Sequence, residues 1–305
     1  MDVLTSKKLN ISAVICLQTY KVMLNHLDAL KIALISFLLT SCALTGSLFY
    51  ERIDEYLGNY LKQFADFSIQ QESQIDAFTL GYKEFLAKNE LVKIKATLTE
   101  LKGMDHTNIE TLVATTESDF RIFLATTSRY FEQHFVSLAA SLTEAQILQI
   151  KDHLSFKKDS DLNDLEHKEF YKRVLDRFRR GFKRIGIRLD KNQIEMIRTG
   201  SHRLYEVSPE WRRFQSVWIN DLTELIIKKN EPNFEEALIF HLRRQNDIGD
   251  AKFRERVKEN RLIVNGLVVK ILYSLSPEQK KKFCQQLDLF ISVIDRVISR
   301  YEDKV

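Results

Sequence analysis

The residue best placed to do chemistry is Cys42, which ends the run Leu39-Thr40-Ser41-Cys42. A short apolar segment, residues 32–38, comes directly before this run, and Lys31 places a positive charge ahead of it. This order of charge, apolar core and small residues is typical of an export signal. The run resembles a bacterial lipobox, in which the chain is cut just before the cysteine and the thiol then carries a diacylglycerol.

The segment before the cysteine predicts where the protein resides. We expect residues 1–41 to be a signal peptide, and Met23 is an alternative start because residues 23–41 alone have the usual proportions of such a signal. Ala43 follows the cysteine, where an Asp would favour the inner membrane of a Gram-negative cell. The expected location is therefore the periplasmic face of the outer membrane, with a covalent acyl lipid such as palmitate on Cys42 as the anchor.

Two other interpretations of this segment stay open. Residues 32–50 are uncharged and nearly long enough to cross a bilayer, so they could form an uncleaved signal anchor. Cys42 could also be an ordinary small buried thiol.

Composition limits the class of protein. The 305 residues carry a net charge of +4. Residues 1–41 hold four basic and two acidic side chains, so the remainder carries +2. So balanced a charge does not favour nucleic acid as a partner. Three prolines and nine glycines are too few for the turns of a β-sandwich or barrel. Beyond Cys16 and Cys42 only Cys284 remains, so no internal disulfide framework is expected.

Apolar residues recur at intervals of three and four through most of the chain, which is typical of amphipathic helices. One such stripe contains Ile53, Leu57 and Leu61, and another contains Trp211, Phe214 and Trp218. We predict an all-α fold, a multi-helix bundle or array, over residues 42–305. The best candidate for a hinge is residues 157–164.

A recurring pattern marks helix starts: an apolar residue, then Ser, Thr or Asp, and Gln three residues later. In such a capping box the short side chain accepts from a backbone N–H and the Gln reaches back. The four glutamines are therefore predicted to be structural caps: Gln71, Gln146, Gln193 and Gln279. Their unequal spacing argues against a solenoid repeat.

These residues resemble an uncharacterised family of all-helical proteobacterial lipoproteins, over roughly residues 35–270. The features that carry the likeness are Cys42, the stretches 48–54, 60–61 and 66–67, Gln71, and the motifs at 142–146 and 189–193. The resemblance implies lipid attachment but no established reaction. The chain departs from the family where members often show a Trp-His-Arg cluster, since it has Glu84-Phe85-Leu86 there.

The Leu-Thr-x-x-Gln motif is also similar to that of small periplasmic stress chaperones built as helical cradles. A generic helix start explains the motif equally well. A chaperone-like cradle is therefore an alternative to a lipoprotein that binds a partner or supports the envelope.

One predicted helix carries a strongly basic face opposite an apolar stripe of Val174, Phe178, Phe182 and Ile185. Such a face either contacts an anionic lipid surface or an acidic envelope protein, or is simply solvated. The basic face consists of Arg173, Arg177, Arg179, Arg180, Lys183, Arg184 and Arg188.

Signatures of catalysis and metal binding are missing from the sequence. There is no His-Glu-x-x-His, phosphate-cradling glycine run or nucleophile elbow, so we predict no catalytic residues, no metal site and no cofactor besides the acyl lipid. Trp211 and Trp218 are expected to pack in the core. Tyr50, Asp54 and Tyr60 either line a docking site or belong to the face of the first helix. Nothing in the sequence determines an oligomeric state.

Overall fold

Every regular element in the described part of the chain is helical. The computed structural model describes residues 50–163 and 170–302. In chain order the α-helices are α1 Ile53–Leu61, α2 Ile69–Phe85, α3 Leu91–Lys102, α4 Ile109–Ser141, α5 Glu144–Asn163, α6 Phe170–Arg184, α7 Lys191–Ser201, α8 Ser208–Ile227, α9 Phe234–Arg243, α10 Ala251–Tyr273 and α11 Pro277–Glu302. The predicted all-α fold is confirmed.

Several sequence predictions fall at the edges of these ranges. The predicted signal peptide and lipid site, residues 1–42, lie outside the described residues. Residues 157–163 of the predicted hinge continue helix α5, whereas Asp164 is outside the described ranges. Within residues 50–163 and 170–302, no helix combines the length and apolarity needed to cross a bilayer.

The connection between α2 and α3 is a wider helical turn rather than a break. Leu86–Glu90 forms a π-helical turn, and the chain passes through it without leaving the helix. Leu86 and Ala87 of this turn are buried in a hydrophobic cluster, and the turn packs on α11. The turn is therefore part of the core packing.

The chain consists of two halves whose helices follow the same packing plan. In the first half, residues 50–163, α1 packs on α2 and α2 packs on α4. In the second half, residues 170–302, α6 packs on α7 and α7 packs on α10 in the same way. Helix α9 has no counterpart in the first half, where the short turn 103–108 joins α3 directly to α4.

Buried polar side chains repeat between the halves as well. Thr127 of α4 and Asn260 of α10 are equally far along the chain from Ser141 and Ser274, at the ends of their helices, and both are buried. The Thr127 hydroxyl shares a 2.9 Å hydrogen bond with Tyr82. Asn260 bonds both the N–H and the carbonyl of Tyr205 at 2.8 Å. Thr127 thus ties α4 to the last turn of α2, and Asn260 ties α10 to the loop that follows α7.

The two halves exchange their last helices. Helix α5 of the first half packs on α8 of the second, and α11 of the second half packs on α3 of the first. The two long helices α4 and α10 pack directly on each other. The arrangement is that of an intertwined dimer made from one chain.

This exchange is visible in the hydrophobic core. The first cluster joins α1–α4 to Ile294 and Val297 of α11. A second cluster surrounds Ile187, Ile197 and Ile271 of the second half and includes Ile109 of the first. Fully burying one such side chain contributes about 1.5–3 kcal/mol, so a substantial part of each half's stability comes from contacts with the other.

Candidate functional site

The predicted lipid site lies a few residues before the described part of the chain. Cys42, with Leu39, Thr40 and Ser41, lies outside the described residues, and the first described residue is Tyr50. A chain from residue 42 to residue 50 spans at most about 28 Å when fully extended. A lipid on Cys42 would therefore be attached within about 28 Å of Tyr50.

Tyr50 is locked into the core at this point. Its side chain is 0% exposed and its hydroxyl donates a hydrogen bond to the carbonyl of Lys83 at the end of α2. Its ring meets that of Tyr301 edge-on, with centroids 6.2 Å apart. Burial raises the pKa of the Tyr50 hydroxyl well above its ordinary value, and the nearby Tyr301 hydroxyl adds to this shift.

Lys83 holds the start of α1 against α2. Its ammonium group donates to the carboxylate of Asp54 at 3.0 Å and to the carbonyl of Glu51. The two charged side chains are largely buried, 11% exposed for Lys83 and 19% for Asp54. Of the two interpretations of Tyr50 and Asp54, packing in the first helix layer is confirmed.

The C-terminal end of α11 packs against the same region. Arg300 forms an ion pair with Glu51, and Tyr301 packs on Tyr50. We call this region the α1–α11 junction and define it as Tyr50, Glu51, Lys83, Arg300 and Tyr301. In the packing plan of the two halves, α5 corresponds to α11 and α6 corresponds to α1. The junction therefore corresponds to the connection between α5 and α6, where the chain is continuous. The junction thus brings both ends of the described body together.

The predicted basic face lies on α6 except for Arg188, which follows the helix, and its members differ in environment. The apolar stripe is confirmed, since Val174 and Phe182 are each 5% exposed and Phe178 and Ile185 pack beside them. Arg173 is only 13% exposed and pairs with Glu206. Arg177, Arg180 and Arg184 are half-buried, whereas Arg179, Lys183 and Arg188 are exposed. The exposed part of the face is therefore smaller than the sequence predicts.

The four predicted glutamine caps are confirmed, and the structure pairs them. Gln71 and Gln193 complete capping boxes with Ser68 and Asp190. Gln146 accepts from the N–H of Thr143 at 2.9 Å, and Gln279 accepts from that of Ser276 at 2.9 Å. Each side chain also bonds a second glutamine, which the sequence analysis missed.

The first pair joins α2 to α5. Gln71 donates to Gln146 Oε1 at 3.1 Å, and Gln146 donates to Gln71 Oε1 at 2.8 Å. Gln71 also donates to the carbonyl of Ser141, and Gln146 donates to that of Asp66. The second pair repeats this set with Ser274 and Arg188 in the matching positions. The glutamines are structural, and a Ser two residues before the cap is the sequence signal that links the two sets.

The predicted core tryptophans pack against second-half aromatics. The indole of Trp218 stacks on the imidazole of His241, 4.8 Å between centroids, and His241 bonds the Trp218 carbonyl at 3.1 Å. Burial lowers the pKa of His241. Trp211 lies 5.8 Å from the ring of Phe253. These contacts place both tryptophans in packing roles.

A shallow cleft of about 310 Å³ opens where α8 meets α9. Its charged lining is Asp221, Glu224, Lys228 and Glu231, and Phe234 forms its apolar side. Across the described ranges, 50–163 and 170–302, no three His, Cys, Asp or Glu side chains converge as metal ligands would. Cys284, half-buried on α11, is a thiol outside any disulfide.

Comparison with known proteins adds no relative. No protein-family model, no curated protein and no solved structure matches this chain.

Proposed function

We propose that this chain is a lipoprotein of the Gram-negative outer membrane, anchored on the periplasmic face through an acyl lipid on Cys42. The helical body then binds a partner or supports the envelope, and does not catalyse a reaction. The anchor is the one implied by the resemblance to the uncharacterised lipoprotein family, which implies no established reaction.

One observation carries the proposal: a fully buried residue follows the lipobox-like run within eight positions. Tyr50 is 0% exposed and is fixed by Lys83 and Tyr301. A chain cut before Cys42 would therefore begin almost at the edge of the folded body, as expected for a lipid-anchored domain with a short tether. Several buried acyl chains, at about 0.8 kcal/mol for each methylene, would make attachment stable.

Metabolic labelling with palmitate tests the anchor. We expect the wild-type chain to incorporate label and to sediment with outer membranes, and Cys42→Ser to lose both properties. Cys16→Ser and Cys284→Ser are matched controls that should label like the wild type. Equal labelling of Cys42→Ser and wild type would refute the proposal.

The exposed cations on and just after α6 are the proposed contact surface of the body. Arg179 and Lys183 are exposed on α6, the second-half counterpart of α1, and Arg188 is exposed in the segment that follows this helix. An acidic envelope protein fits their charge, which acts over about 8–10 Å at physiological salt. We expect the triple Ala variant to bind immobilised poly-glutamate, as a stand-in for an acidic protein surface, several-fold less than the wild type, while Arg212→Ala, on α8, binds equally.

A further inference from the structure

We propose that the α1–α11 junction is the face of the body that lies against the membrane, with phospholipid headgroups as its partner. This inference rests on the proposed lipid on Cys42 and adds an orientation to it. It follows from three features of the structure: the short reach of the chain before Tyr50, the burial of Tyr50 itself, and the length of the body beyond it.

The stretch from Cys42 to Tyr50, which we call the tether, is short. Moving Tyr50 out of the core would cost free energy. Cys42 lies at most about 28 Å of extended chain from Tyr50. Freeing Tyr50 would expose a fully buried ring, at a cost of about 1.5–3 kcal/mol, and would break its bond to the Lys83 carbonyl. The Arg300–Glu51 ion pair and the Tyr301 contact hold the same position. The junction therefore stays within reach of the bilayer.

The opposite end of the body lies beyond that reach. Helix α11 has 26 residues and is about 39 Å long. Its C-terminal end forms the junction, and its N-terminal end, at Pro277, lies beside the Gln193–Gln279 pair and the start of α7. Because about 39 Å exceeds the tether, the α7 end cannot take the place of the junction near the lipid.

The exposed residues around the junction suit a headgroup layer. Tyr56 on α1 is 46% exposed, and Val92, just after the π-helical turn, is 52% exposed. Arg52 is exposed next to Glu51, and the exposed Lys88 belongs to the π-helical turn that packs on α11. Tyr rings and long cationic side chains with apolar stems favour the membrane–water interface. Arg52 is paired with Glu55 at 2.8 Å, so this contact should depend only weakly on salt.

Lipid-based fluorescence quenching tests the orientation. The lipidated full-length chain, in a Cys284→Ser background and with its Cys42 acyl group verified by mass spectrometry, would carry one fluorophore at Val92→Cys or at Met196→Cys. Met196 is an exposed residue of α7 and serves as the matched control. Headgroup-labelled quencher lipids in phosphatidylethanolamine–phosphatidylglycerol vesicles should quench the Val92 probe at least threefold more strongly.

The possible outcomes distinguish a failure of the proposed orientation from a failure of the proposed lipid anchor. An acylated protein whose two probes are quenched equally, or whose Met196 probe is quenched more, overturns the orientation and leaves the anchor intact. A protein without an acyl group on Cys42 overturns the proposed function and this inference together. Inserting twenty flexible residues after Ala43 should reduce the difference between the probes by at least half, and an unchanged difference would exclude the short tether as its cause.

Discussion

The side-chain amides of Gln193 and Gln279 hydrogen bond to each other in both directions. Gln193 Nε2 donates to Gln279 Oε1 at 3.1 Å, and Gln279 Nε2 donates to Gln193 Oε1 at 2.9 Å. Each Oε1 also accepts the N–H of its own helix cap. This pair therefore fixes the starts of α7 and α11 relative to each other and to the end of α10.

Replacing a paired glutamine should be costly. Gln193 is 0% exposed, so Gln193→Ala leaves the amide of Gln279, the Asp190 N–H and the Ser274 carbonyl short of a partner. An unsatisfied buried group costs about 1–3 kcal/mol. Because these three groups are only partly buried, we expect a total loss of about 2–4 kcal/mol in the free energy of unfolding. Urea unfolding measures this value.

Gln285→Ala is the control for that substitution, because Gln285 lies exposed on α11 and should change the free energy of unfolding by less than about 0.5 kcal/mol. A double variant, Gln193→Ala with Gln279→Ala, should lose less than the sum of the two single losses, since the pair acts as a unit. Strict additivity would argue against the reciprocal pair.

Gly186 allows a close approach that no other residue can make. Its φ is 81°, in the left-handed region, and an added Cβ would stand 2.7 Å from the Lys282 carbonyl oxygen of α11. Gly186→Ala should therefore destabilise the fold by about 2 kcal/mol or more, because both the backbone and the contact are strained. Thermal and urea unfolding provide the measurement.

The matched control is Gly181→Ala, in the same helix–turn segment. Gly181 lies inside α6, and a Cβ there would meet nothing within 4 Å. Alanine is the better helix former by about 0.8–1.0 kcal/mol, so this variant should be as stable as the wild type or more so. If both variants lost the same stability, a general intolerance to alanine, and not the contact with α11, would be the cause.

The helices and their starts could be predicted from the sequence because both are local. Apolar periodicity and capping residues depend on neighbours within a few positions, and the boxes at Ser68 and Asp190 form as predicted. Residues 86–90, between α2 and α3, form a π-helical turn and not a break, since Leu86 and Ala87 keep the chain buried there. Local pattern could not distinguish a break from a wider turn.

The pairing of the halves could not be predicted, because it depends on long-range contacts. The intervals between the glutamines are unequal, and the additional helix α9 of the second half contributes to this difference. The basic face illustrates the same limit. Helical periodicity aligns Arg173 with its neighbours, but only the fold places Glu206 beside it and removes it from the exposed surface. The lipid site itself lies outside the described residues and stays a prediction.

Buried tyrosines should make stability fall at alkaline pH. Burial raises the pKa of Tyr60 to about 12, and it raises those of Tyr50 and Tyr82 well above the ordinary value. Above about pH 10 the unfolded chain releases these protons while the folded chain keeps them, so the folded state binds more protons. Their contribution is present below about pH 10 and is lost as pH rises through the folded-state pKa values.

Urea unfolding at a series of pH values from neutral to about 11 checks this dependence. Tyr50→Phe keeps the ring contact with Tyr301 but removes one titrating hydroxyl, and at neutral pH it should cost about 1 kcal/mol for the lost hydrogen bond. Above about pH 10 its stability should fall less steeply, by up to about 1.4 kcal/mol for each pH unit. Parallel profiles for the two proteins would count against a protonated Tyr50 in the fold.

The exchanged helices predict that the chain can be cut between its halves without falling apart. Helix α5 packs on α8, α11 packs on α3, and α4 packs on α10, so each half buries core residues of the other. A specific protease site inserted within residues 164–169 should be cleaved to yield two fragments that co-elute at the size of the intact body. Urea should then separate them in a concentration-dependent transition, because the fragments must reassociate to refold. Cleavage that released two separately eluting fragments under native conditions would show that the contacts between the halves are too weak to hold them together, and the description of the chain as an intertwined pair would be wrong.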